Sequence, residues 1–249
     1  MSKGIHSALL VCTALTSMGG FAVESSDPYQ KKIETQRQKQ THPLTLAQKN
    51  IALIAAWAAT GDINRLNAAL QQGLDAGLSI SDCREVLVQL YAYAGFPRSL
   101  NALGELLKVV DARRTQGKRD TAGKEPGPMP SPEEMLAVGT RNQTALVGSP
   151  VKGALFEFAP AIDQYLKAHL FGDIFVRDNI GWKSRELATV GALAAISGVE
   201  SQLKSHLNIS MNVGLSLAQL AELGPYFREQ GNEAAAQRLD AVLASLTQS

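Results

Sequence analysis

Cysteine is nearly absent from this chain: Cys12 and Cys83 are the only two in 249 residues. Cys12 lies in an apolar run near the amino terminus. A chain cleaved after that run would keep one thiol and could form no internal disulfide. Cys83, set in the stretch Cys83-Arg84-Glu85-Val86-Leu87, is expected to be buried and inert. An excess of either charge is also missing. The formal net charge is +1, which leaves no electrostatic footprint for nucleic acid. The short basic run Lys31-Lys32, Arg37 and Lys39 reads as a solvated face. Runs of β-branched residues at a period of two do not occur, while Ala and Leu dominate the periodic stretches. His169 and His206 have no His, Cys, Asp or Glu at metal-ligand spacing, so no metal site is expected. Phosphate-binding glycine loops and a Ser-His-Asp pattern are missing too, and no cofactor is expected.

What is present begins with a leader. Lys3 and His6 precede the apolar run Ala8 to Leu15, and small residues follow as far as Ala22. That order is expected of a secretory signal over residues 1–23, with cleavage near Ala22. The apolar run is too short to cross a bilayer, so no membrane span is expected after its removal. The expected location is periplasmic or secreted.

The remaining chain reads as all-α, and it repeats. Residues Leu46 to Val86 align without gaps on Lys183 to Leu223 at an offset of 137, set by Gly77-Leu78-Ser79 against Gly214-Leu215-Ser216. Gly61, Leu66, Leu70 and Glu85 match Gly198, Leu203, Leu207 and Glu222 at the same offset. Thr45 with Gln48, Ser79 with Asp82 and Ser216 with Gln219 have the spacing of capping boxes. Gly61-Asp62 and Ser197-Gly198 are the expected turns between helices. Pro97 is expected to open a fourth helix after Tyr93-Ala94-Gly95-Phe96-Pro97. The segment between the repeats is polar and rich in proline, and reads as an exposed linker. A further helix is expected from Pro160 to Leu170. The expected organisation is a leader over 24–43, a first unit over 44–111, a linker over 112–159 and a second unit over 160–249.

Arg185-Glu186-Leu187, His206, Gly214-Leu215-Ser216, and Tyr93-Ala94-Gly95-Phe96-Pro97 with Asn101-Ala102-Leu103 resemble the carboxymuconolactone decarboxylase family. The relatives of that family include the alkylhydroperoxidase D-like proteins. The resemblance covers most of the chain beyond the leader, as two copies. It implies a duplicated helical bundle that assembles into rings, for which a homotrimer is the natural expectation. The peroxidase branch carries two cysteines ahead of its histidine. Here Gly198-Val199-Glu200-Ser201-Gln202-Leu203-Lys204-Ser205-His206 holds none, and thiol peroxidase chemistry needs a reactive thiolate. The decarboxylase branch, as the resemblance implies, keeps the glutamate and the histidine and needs no cofactor. Lys49 and Ala69 stand at the corresponding places of the first copy, which instead keeps the Tyr93 to Pro97 element. The copies therefore share one composite site, or the first copy is scaffold.

The chemistry of Glu186 and His206 follows from their spacing. In an antiparallel hairpin turning near Gly198, the two lie roughly 6 Å apart along the axis at about 1.5 Å rise per residue. A glutamate can span that distance, orient an imidazole and fix its tautomer. Glu186 and His206 are thus the expected catalytic pair, with His206 as the proton donor when CO2 leaves a carboxylated lactone. Arg185 or Arg177 would hold a substrate carboxylate. Tyr93, Phe96 and Tyr226 would form an apolar wall that dehydrates it. A small cyclic acid is the expected partner. Two other readings stand beside this one: peroxide reduction, disfavoured by the missing cysteines, and a non-catalytic oligomeric scaffold.

Overall fold

The computed structural model describes residues 42–246, and the signal and most of the leader expected above lie outside them. The described residues are helical and contain no strand. Four helices come first: α1 (Leu46–Thr60), α2 (Ile63–Asp75), α3 (Ile80–Ala94) and α4 (Phe96–Thr115). Then come α5 (Met135–Val147), two short helices α6 (Ala154–Phe158) and α7 (Pro160–Tyr165), and a π-helical segment, Leu166–Ile174. The last group is α8 (Trp182–Ala195), α9 (Glu200–Asn212), α10 (Leu217–Ala221), α11 (Leu223–Glu229) and α12 (Glu233–Leu246).

Local chemistry fixes the helix ends. All three capping boxes form, at Thr45, Ser79 and Ser216. The α1–α2 turn uses Gly61 at φ 77°, a left-handed conformation that costs an L side chain about 1 kcal/mol or more. Helices α9, α10 and α12 start at 200, 217 and 233, against 63, 80 and 96 for α2, α3 and α4. The three starts of one group are therefore each 137 from those of the other. At the same offset, the one long helix α3 corresponds to two short pieces, α10 and α11.

Helices α1 and α8 form the centre. Ile51 to Ala59 and Arg185 to Ala195 are buried without a break, the pattern of helices surrounded on all sides. Their backbones meet: a Cβ on Gly191 would stand 2.1 Å from the Ala52 carbonyl oxygen. Helices α2, α3 and α4 pack on α1, while α9 and α12 pack on α8. A second, smaller core joins α5, the π-helical segment and α9 through Leu146, Leu170, Phe171 and Ile209.

The segment expected as a linker, 112–159, is largely exposed but not without structure. It holds the end of α4, all of α5 and all of α6. Helix α5 lies so close to the π-helical segment that a Cβ on Gly139 would reach 1.6 Å from the Lys167 carbonyl oxygen. The proline-rich stretch before α5 is also pinned. Ile80 and Ser81 N–H donate to the carbonyls of Thr121 and Ala122 at 2.9 Å each. These bonds satisfy donors that the first turn of α3 cannot pair internally. The expected helix from Pro160 stops at Tyr165 and continues as π-helix to Ile174. Among the described residues, no helix is long and apolar enough to cross a membrane.

Candidate active site

The α8–α9 hairpin turns at Gly198, which takes φ 82°. Glu186 lies near the start of α8 and is fully buried. His206 lies in the middle of α9 and is 8% exposed. Glu186 Oε2 is 2.8 Å from His206 Nδ1. An ionised carboxylate can only accept, so this contact puts the ring proton on Nδ1 and leaves Nε2 as the acceptor. Nε2 has no protein partner among the described residues. The second oxygen of the carboxylate, Oε1, is sealed from solvent and has no hydrogen-bond partner.

Tyr93, from α3, meets the imidazole edge-on at 5.6 Å between centroids and 83° between planes. Its hydroxyl is sealed and has no hydrogen-bond partner. Burial, joined by the negative charge of Glu186, pushes its phenol well above the ordinary tyrosine range. Tyr93 therefore stays protonated and serves as a wall.

The exposed edge of His206 opens on a cavity of about 760 Å³. This is within the range of small-molecule sites, roughly 300–1,000 Å³. Its walls are mainly apolar, with Leu166, Leu170 and Phe171 from the π-helical segment and Leu155, Phe156 and Ile162 from the short helices. Polar groups come from Gln143 and, along α9, from Gln202, Ser205, Asn208 and Asn212. No lysine, arginine, aspartate or glutamate lines it. Gln143 is 4% exposed, yet its side chain makes no hydrogen bond among the described residues.

The structure places the other expected site residues elsewhere. Arg185 is fully buried. Its Nη2 donates to Glu85 Oε2 at 3.2 Å and to the Arg177 carbonyl at 2.8 Å. Arg177 holds the same carboxylate with two bonds, Nε to Oε2 at 2.8 Å and Nη2 to Oε1 at 2.6 Å. Both guanidinium groups are thus engaged by Glu85, and neither lines the cavity. The clamp expected of them is instead an ion-pair cluster tying α8 and the preceding loop to α3. Phe96 is 61% exposed and stacks on Tyr91 at 4.4 Å, outside the cavity. Tyr226 belongs to the main core. Of the aromatic wall expected from sequence, Tyr93 alone lines the cavity. The residues that sequence reasoning missed are Gln143 and the apolar walls from α6, α7 and the π-helical segment. Their signal was weak, since they fall in or beside the stretch whose prolines pointed to a linker.

Compared with known proteins, no family model matches the chain and no curated protein matches it.

Proposed function

We propose that this protein is a carboxymuconolactone decarboxylase-like enzyme that performs cofactor-free acid–base chemistry, a decarboxylation, on a carboxylated lactone or related small cyclic acid. The observation that carries this reading is the 2.8 Å contact between Glu186 and His206 at the edge of a cavity of about 760 Å³. A scaffold with a vestigial pair has no need of such a cavity. In the proposed reaction Glu186 holds Nδ1–H, and Nε2 takes a proton from the substrate or delivers one to it. For a carboxylated ring, the electrons of the bond to the carboxyl carbon stay on the ring as CO2 leaves, imidazolium at His206 protonates the ring carbon that carried the carboxyl group, and the neutral imidazole then regains its proton from water. The apolar walls favour loss of the charged group by withholding water from it.

Peroxide reduction has little support. Cys83 is fully buried in α3, and its thiol is pushed up to about 12 by burial and by the nearby negative charges of Asp82 and Asp120. Assembly as a homotrimer is part of the proposal. Its support is the exposed apolar row Phe96, Leu100 and Leu107 on α4. A periplasmic or secreted location rests on the leader sequence.

The test is a screen of carboxylated lactones and hydroperoxides with wild type and His206→Ala. Lactone turnover is expected in wild type and is lost in the variant, with helicity and assembly state unchanged. Lactone turnover that survives in His206→Ala, or peroxide turnover that disappears in Cys83→Ser, overturns the proposal.

A further inference from the structure

The cavity beside His206 has two kinds of wall. Helices α5 and α9 and the π-helical segment form the firm one. They share the second core through Leu146, Leu170, Phe171 and Ile209. A Cβ on Gly139 would stand 1.6 Å from the Lys167 carbonyl oxygen, so α5 and the π-helical segment pack backbone against backbone. Asn142 adds a bond to the Phe171 carbonyl at 2.8 Å, and Asn212 ties α9 to the Leu146 and Val147 carbonyls at 3.0 Å each.

Residues 149–159 form the other wall, through Val151, Leu155 and Phe156. Little holds them. Helix α6 has five residues, none of them buried, and it packs mainly on α7. Phe158 is 88% exposed. A helix this short is unstable on its own. The bonds donated by Phe156, Glu157 and Ala159 stay inside the segment. Among the described residues, the bond that joins it to another element runs from Ile162 N–H to the Ala159 carbonyl at 3.1 Å, at its very end. Glycines stand where it leaves α5 and where α6 begins. Gly148 takes φ 87°, and Gly153 takes φ 147° with ψ 168°, a conformation open in practice to glycine alone.

His206 is 8% exposed, and a ring seated on its Nε2 has to pass these walls. Local opening costs least where the fewest buried contacts and hydrogen bonds are lost. By both measures that place is 149–159.

We infer that residues 149–159 are a lid, which swings about Gly148 and Gly153 to admit the substrate and then closes Leu155 and Phe156 over it. On the decarboxylation reading, closure keeps water from the departing carboxylate. That consequence rests on the reading, whereas the lid itself does not.

His169 supplies an internal reference. Its Nδ1 lies 2.6 Å from Asp173 Oδ2, much as His206 Nδ1 lies 2.8 Å from Glu186 Oε2. Its side chain is 48% exposed, so its Nε2 faces solvent rather than a cavity. The test is carbethoxylation of the two histidines by diethyl pyrocarbonate at pH 7, followed as rates by peptide mass spectrometry of the whole chain. In wild type His206 is expected to react roughly tenfold or more slowly than His169. Gly153→Ala strains the closed lid and is expected to speed His206 roughly fivefold or more, with the His169 rate and the Tm unchanged. Gly104→Ala, with open space around it, should move neither rate. Equal rates in wild type mean that the cavity stands open, and they overturn the inference. So does a His206 rate that Gly153→Ala leaves unchanged. Should that variant fail to fold, hydrogen exchange of wild type decides. Amides of α6 are expected to exchange far faster than those of α5 and α9, and equal protection overturns the lid. None of these readouts needs turnover. Absent lactone turnover, with His206 opened to the reagent by Gly153→Ala, counts against decarboxylation and leaves the lid standing.

Discussion

Glu186 Oε2 and His206 Nδ1 lie 2.8 Å apart, joined across the α8–α9 hairpin, with the carboxylate fully buried and the imidazole at the cavity edge. Replacing the carboxylate by an amide tests what this contact does. In Glu186→Gln, the amide can donate to Nδ1 and place the ring proton on the cavity side. We expect kcat to fall roughly 10²–10⁴-fold, the range for losing a correctly oriented acid–base group. Steady-state kinetics on the substrate found by the screen give the answer. A kcat equal to wild type removes Glu186 from the mechanism.

Glu85 offers a test by pH. Burial works to raise its pKa, but hydrogen bonds from Arg177 and the charges of Arg177 and Arg185 outweigh burial and hold the carboxyl below its usual range. Asp75 and Asp120 are lowered by their hydrogen bonds to Arg113 in the same way. A lowered folded-state pKa stabilises the fold at pH above the unfolded value, about 4.3 for Glu. That contribution is lost as pH falls through the folded value. Stability is expected to be level near neutrality and to drop below about pH 4.3. Glu85→Gln is expected to cost about 3–5 kcal/mol at pH 7, because it leaves Arg185 buried without its carboxylate, and to reduce the acid dependence. Urea unfolding at pH 3.5, 5 and 7 measures both. A flat profile in wild type contradicts the assignment.

Gly191 reports on the centre of the fold. Its Cβ would meet the Ala52 carbonyl oxygen at 2.1 Å, and neither backbone can yield without separating α1 from α8. Gly191→Ala is expected to destabilise by about 1–3 kcal/mol or more. Gly104, in α4, has nothing within 4 Å of a built Cβ. Gly104→Ala is therefore expected to be neutral or stabilising, by up to about 1 kcal/mol. Thermal melts of the pair check the contrast, and equal shifts would mean that the α1–α8 contact is looser than described.

Cys83 is expected to resist alkylation. Its thiol is fully buried and pushed up to about 12, so little thiolate forms at ordinary pH. Mass-spectrometric mapping after iodoacetamide treatment at pH 8 should show Cys83 unmodified in native protein and modified in urea. Cys83→Ala should leave turnover intact. Rapid native alkylation would show that the thiol is open.

Much of the fold was legible because it is local. The boxes Thr45–Gln48, Ser79–Asp82 and Ser216–Gln219 each span three residues, and each forms as its spacing predicts. Glu186 and His206 were legible for a related reason, since a single tight turn fixes the register of the two helices that carry them. The proline-rich stretch was legible as exposed and non-helical, but its composition did not reveal what holds it. Its backbone is held by the unpaired donors of α3 and followed by a helix that packs on the π-helical segment.

The sequence by itself determined that the chain is helical, where several helices begin, and that one glutamate faces one histidine. Each of these depends on periodicity or on contacts within about twenty residues. Only the tertiary structure decided that Arg177 and Arg185 serve Glu85, 92 and 100 residues away. It alone decided that Gln143 lines the cavity beside His206. Periodicity says which face of a helix is apolar. It does not say which distant face will cover it, and that choice sets where charge is neutralised and where a cavity remains.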